Sequence, residues 1–120
     1  MVALTENVIL SKTRAENLGV VRNLNVWGSD LSDVSILSQL PNVEVLSLSV
    51  NKIASLKDFT KCQRLQELYL RKNDISSISD LHHISHIQSL RVLWLADNPV
   101  ATTPGMSQSL MTKPDEDLTH

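Results

Sequence analysis

The chain has 120 residues, 42% of them hydrophobic, which suits one domain with a continuous core. Eleven lysines and arginines stand against thirteen aspartates and glutamates, a formal net charge of −2, so charge alone implies no attraction to nucleic acid or to an anionic membrane. A single cysteine, Cys62, argues for a reducing compartment, because small secreted domains usually carry disulfides.

Residues 1–20 read as an N-terminal cap. No basic region precedes their apolar residues, as a secretory signal would require, and the chain holds neither an N-x-S/T sequon nor an apolar run of membrane-spanning length. A cytoplasmic location is therefore expected. Ser11 suits a helix N-cap and Gly19 the residue just past a helix end, which predicts a short helix over residues 12–18. Val8, Ile9 and Leu10 are expected to add an edge strand or packing.

From residue 21 onward one frame, L-x-x-L-x-L-x-x-N, appears four times: VRNLNVWGS (21–29), VEVLSLSVN (43–51), LQELYLRKN (65–73) and LRVLWLADN (90–98). Positions one, four and six are apolar in every copy, and the ninth positions, Ser29, Asn51, Asn73 and Asn98, fall 22, 22 and 25 residues apart. This is the leucine-rich repeat, in which each short strand buries its apolar face only by stacking on its neighbours. The expected fold is an α/β right-handed solenoid of four repeats over 21–100, with parallel strands near 23–27, 45–49, 67–71 and 92–96 forming a concave sheet. A buried Asn amide has the donors and acceptor to satisfy backbone groups where the chain leaves the strand, so the ninth-position residues are expected to form a structural ladder, in which Ser29 can replace only part of an Asn.

Beyond each frame apolar residues recur every third position: Leu31, Val34, Leu37, Leu40; Ile53, Leu56, Phe59, Cys62; Ile75, Ile78, Leu81, Ile84, Ile87. That period suits 3₁₀ or short helical turns, so the convex side is expected to hold turns and no strands. The third repeat is three residues longer, room for about one extra helical turn between Asp80 and Gln88. His82, His83 and His86 lie there, with His82 and His86 on one face if the segment is helical. No metal is expected, because a structural site needs four ligands and only Asp80 lies near enough to add one. Residues 101–120 read as a weak cap around Met106, Leu110 and Met111, then a disordered acidic tail from Lys113.

Nothing in the chain suggests catalysis or a cofactor: there is no G-x-S-x-G, P-loop or glycine fingerprint, and a core Cys62 is out of reach of a substrate. The concave face is the informative surface, because strand side chains alternate and frame positions three, five, seven and eight point away from the core. Three of the four aromatic residues, Trp27, Tyr69 and Trp94, occupy such positions, and only Phe59 is placed inside. Either the rings pack on one another or they bind a partner, and Trp, Tyr and Arg dominate binding hot spots. The expected protein-binding residues are Trp27, Val45, Glu67, Tyr69, Arg71, Lys72, Val92, Trp94 and Asp97.

The strings LNVWGSDLSDVSI, VEVLSLSVNKI, CQRLQELYLRKNDI and LRVLWLADNP, with the 25-residue third repeat, resemble the N-terminal domain of the cilia- and flagella-associated protein 410 family from about Val8 to Pro99. W-G-S in the first repeat and L-W-L-A-D-N-P in the fourth are the most discriminating parts. The resemblance implies a non-enzymatic adaptor of the cilium or flagellum and basal body that works with a NIMA-related kinase and is connected with DNA repair. It also implies that the repeats engage an acidic segment of the kinase, which would suit Tyr69, Arg71, Lys72 and Trp94. After Pro99 this chain departs from the family: the Tyr-Arg helix and L-P-x-L-x-x-L-D cap are missing from ATTPGMSQSLMTKPDEDLTH, so the family's oligomerisation is not carried over. The 22-residue repeat is also similar to regulators of protein phosphatase 1, to axonemal dynein light chain 1 and to the spliceosomal leucine-rich protein that holds an RNA-binding partner. All these readings are interaction proteins; the favoured one implies no direct nucleic-acid or membrane contact, whereas the RNA-associated one implies a protein partner that carries the RNA, with basic residues touching phosphate.

Overall fold

A computed structural model describes residues 1–102 of the chain. Six short strands and one α-helix appear in the order β1 (Val2–Ala3), α1 (Glu6–Thr13), β2 (Asn23–Asn25), β3 (Leu31–Asp33), β4 (Val45–Ser47), β5 (Glu67–Tyr69) and β6 (Val92–Trp94). Strands β2, β4, β5 and β6 make a parallel sheet in that spatial order, and their register is one per frame position: Leu24 opposite Leu46, Leu46 opposite Leu68, Leu68 opposite Leu93. The described residues thus form a leucine-rich-repeat solenoid, with strands of three residues where five were expected. Beyond each strand the main-chain bonding between coils continues, with Val26, Leu48 and Leu70 donating their N–H groups to Ser47, Tyr69 and Trp94 O at 2.9, 2.9 and 3.0 Å.

The twelve apolar frame residues are all buried, and so are nearly all of the convex series; Ile78 and Leu81 are half-buried against the same core. That series folds into 3₁₀ turns at Ser35–Gln39, Lys57–Phe59, Ile78–His83 and Pro99–Thr102. The three added residues are absorbed on this side, which leaves the pairing of Glu67 with Val92 in register. The longer turn covers Ile78–His83, ahead of the expected Asp80–Gln88, because Asp80 pins it: its carboxylate accepts from the Leu56 N–H (2.6 Å) and the Ser55 hydroxyl (3.4 Å) of the preceding coil. The first coil also departs from expectation. Its Leu31–Asp33 stretch is a strand pairing in parallel with Val2–Ala3, with the Leu4 N–H donating to Asp33 O at 2.9 Å.

The cap helix lies earlier than expected. Thr5, in extended backbone, accepts from the Val8 N–H through its hydroxyl and starts α1, while Arg14, in the left-handed region at φ 58°, ends it and donates its N–H to Leu10 O. Ser11 lies inside the helix, and Gly19 sits in a 3₁₀ turn, Leu18–Val20. Ile9 is fully buried and plugs the first coil, with α1 packed beside β2. Asn42 ties the cap to the second coil by donating to Gly19 O at 2.7 Å. The expected C-terminal turn around Met106, Leu110 and Met111, and the acidic tail, lie outside the described residues.

Candidate functional site

Each asparagine of the column reaches back one coil. The side-chain oxygen of Asn51 accepts from the N–H of Ser29 (3.0 Å) and Leu31 (2.9 Å), that of Asn73 from Ile53 (3.0 Å), and that of Asn98 from Ile75 (3.0 Å). Their amide nitrogens donate to the carbonyls of Val26, Leu48 and Leu70 in the preceding coils at 2.9, 3.0 and 2.7 Å, and to Leu48, Leu70 and Leu95 of their own. Ser29 makes no such bridge. Its hydroxyl reaches only Trp27 O, at 3.4 Å, so the ladder starts at Asn51.

This ladder holds the turns that follow the strands in one shape, with the eighth frame residue left-handed every time: Gly28 at φ 66°, Val50 and Lys72 at 60°, Asp97 at 61°. The concave sheet before those turns carries an open groove of about 400 Å³ lined by Asn25, Trp27, Ser47, Ser49, Val50, Tyr69, Arg71 and Trp94. Four of these, Trp27, Tyr69, Arg71 and Trp94, are expected binding residues. The other five expected ones, Val45, Glu67, Lys72, Val92 and Asp97, lie beside the groove and not in its lining. Asn25, Ser47, Ser49 and Val50 occupy outward frame positions, as the sequence frame implies, but small residues give no hot-spot signal and are not among the expected binding residues.

Tyr69 and Trp94, neighbours across β5 and β6, pack edge to face with centroids 4.6 Å apart and planes at 86°. The Tyr69 hydroxyl donates to the Glu67 carboxylate, whose other oxygen lies 3.4 Å from Arg91. Burial first, and then this bond to Glu67, push the Tyr69 phenol up to about 12. Trp27 has no such support and is 64% exposed at the far end of the groove. Arg71 pairs with Asp97, whose carboxylate accepts from its Nε at 3.0 Å, and both side chains are exposed. Lys72 is exposed at the rim.

The remaining candidates are scattered. Cys62 is fully buried against Leu37 O (3.6 Å), and burial pushes its thiol up to about 12. His82 and His83 stack with centroids 4.5 Å apart, but the helical turn ends at His83, so His86 is not on its face and instead contacts Thr60 O and Gln63. Among the described residues no three His, Cys, Asp or Glu side chains come together as metal ligands, and no helix is long and apolar enough to cross a membrane.

Residues 63–107 match the family model for leucine-rich repeats (2 copies). The chain is 48% identical over 100 residues to human cilia- and flagella-associated protein 410, covering 83% of this chain and 39% of that protein. The mouse protein of the same name is 47% identical, covering 83% and 40%. The chain thus spans about two fifths of the length of these relatives. Among solved structures, internalin C2 of Listeria monocytogenes shares the fold with a TM-score of 0.67 and 22% identity, over 77% of this chain and 43% of that one. The resemblance to cilia- and flagella-associated protein 410 is thus shown over most of the chain, and the parallel sheet is that of a leucine-rich-repeat fold.

Proposed function

We propose that this leucine-rich-repeat domain, similar to that of cilia- and flagella-associated protein 410, is a non-enzymatic adaptor that holds a protein partner across its concave sheet. The observation that carries this reading is the groove, which gathers both tryptophans and the only tyrosine of the chain on one face. Aromatic residues with an arginine beside them are the side chains that dominate binding interfaces. A cilium-associated role follows from the relatives' names. The finer reading is that the partner is a NIMA-related kinase, engaged through an acidic segment by Tyr69, Arg71, Lys72 and Trp94, in the cytoplasm at the flagellum and basal body. The reading takes the domain as a right-handed coil of four repeats over 21–100, capped by residues 1–20 and followed by a weak cap and acidic tail over 101–120.

Recovery of a NIMA-related kinase from extract of ciliated cells tests it. Trp94→Ala should weaken capture by about 2 kcal/mol or more, roughly 30-fold in Kd, at every salt concentration. Arg71→Glu with Lys72→Glu should weaken it most at low salt, where screening is least. Lys57→Ala, on the convex side, should leave it unchanged. Undiminished capture by folded Trp94→Ala would remove the concave face from consideration.

A further inference from the structure

The groove is not uniformly aromatic. Trp27 stands at one end, on the strand β2 side, and the Tyr69–Trp94 pair at the other, across β5 and β6. The rest of the lining is mostly small and polar: Ser47 and Ser49 of the second repeat and Asn25, with Val50 as its one apolar member. The Asn25 side-chain oxygen already accepts from the Trp27 N–H at 3.1 Å, which leaves its amide N–H groups as donors. The Ser47 and Ser49 hydroxyls make no hydrogen bond among the described residues. Arg71, also in the lining, donates its Nε to Asp97, and its two terminal nitrogens make no hydrogen bond among the described residues. The floor is therefore a row of donors between two aromatic anchors.

From these features we infer that the occupant is an extended peptide segment lying across the strands, with two apolar side chains four residues apart. This deepens the reading of the groove as a docking site and rests on it. Neighbouring strands lie about 4.8 Å apart, so the three spacings from β2 to β6 amount to about 14 Å, while an extended chain advances about 3.3 Å per residue, or about 13 Å over four. Residues i and i+4 of an extended chain also point to the same side. The residues between them place main-chain carbonyls over the donor row. A helix satisfies its own carbonyls and would leave the serine hydroxyls and the Asn25 amide desolvated without acceptors, a penalty that an extended chain avoids. The Arg71 guanidinium excludes lysine or arginine from the stretch between the anchors.

The test is selection of a displayed library of random linear 12-residue peptides on the full chain, with the same selection on a Trp94→Ala variant and on Ser47→Val with Ser49→Val, each checked for an unchanged melting curve. The expected result is enrichment of peptides with apolar residues at i and i+4, no basic residue between them, and binding lost at least tenfold in both variants. Peptides enriched with an i, i+3, i+7 apolar pattern, bound by the parent but not by Trp94→Ala, would overturn the extended segment and leave the docking site standing. Peptides bound equally by Trp94→Ala, or no enrichment at all, would overturn the inference; the kinase capture described above decides the docking site separately. Should the double serine variant melt early, Ser47→Ala with Ser49→Ala, which removes the donors without adding bulk, takes its place with the same expected loss.

Discussion

An asparagine buried in an apolar stack is tolerable only when both ends of its amide are used. Asn73 is 5% exposed, with its oxygen and nitrogen both bonded to backbone of two coils. Asn73→Ala leaves those groups without partners and should cost roughly 1 to 3 kcal/mol in chemical denaturation, whereas Ser29→Ala, which breaks one long surface contact, should cost under about 0.5. Val50 is the opposite case. A β-branched residue at φ 60° carries steric strain that Gly28 at the equivalent position avoids. Val50→Asn should therefore stabilise the fold by about 1 kcal/mol, read as a raised denaturant midpoint with unchanged slope. Tyr69, the only tyrosine, offers a titration readout. Its phenol moves from 10.0 to about 12 on folding, so the unfolded chain releases the proton first, and the stability this contributes is complete below pH 10 and lost as pH rises toward 12. Tyrosinate absorbance of the folded protein should show the high midpoint. Glu67→Gln should bring it part of the way down, since burial, the larger cause, persists.

At the scale of elements, what the sequence revealed depended on how regular the local signal was. The four concave strands were legible because twelve frame positions are apolar without exception, and most of the convex turns because of their three-residue period, which Leu31–Asp33 escapes by pairing with Val2–Ala3. The cap helix was misplaced for a physical reason. It buries little beyond Ile9, so it shows almost no helical periodicity, and it ends on a left-handed Arg14 where a glycine would have marked the stop. Thr5 is a good N-cap, but residues 5–13 compete with an equally plausible start at Ser11. Half of the groove was legible through its aromatics. Ser47, Ser49 and Asn25 were legible as outward residues of the concave face, but their place in one groove with the rings depends on how the coils stack. The cap leads to a further prediction. Ile9→Ala should cost about 2 to 5 kcal/mol, because it opens a cavity under a helix that has few other buried contacts. Thermal unfolding monitored by tryptophan fluorescence, with Trp27 reporting on the capped coil, measures it. Asp80 plays a comparable part on the convex side: Asp80→Ala strands the Leu56 N–H and should shift the midpoint further than Ser79→Ala does.

For the molecule as a whole, a stack in which each coil touches only its neighbours spreads its stability along one axis. The ladder gives that axis a direction. Every rung is supplied by the later coil to the earlier one: Leu31 waits for Asn51, Ile53 for Asn73, Ile75 for Asn98. During synthesis a coil leaving the ribosome is consequently unfinished until some twenty further residues have emerged. A nascent chain halted between Asn73 and Asn98 would leave the Ile75 amide to water in place of the Asn98 side chain, and the third coil without its rung. Completion of the ladder therefore runs one coil behind the chain, and each new asparagine closes the coil already made.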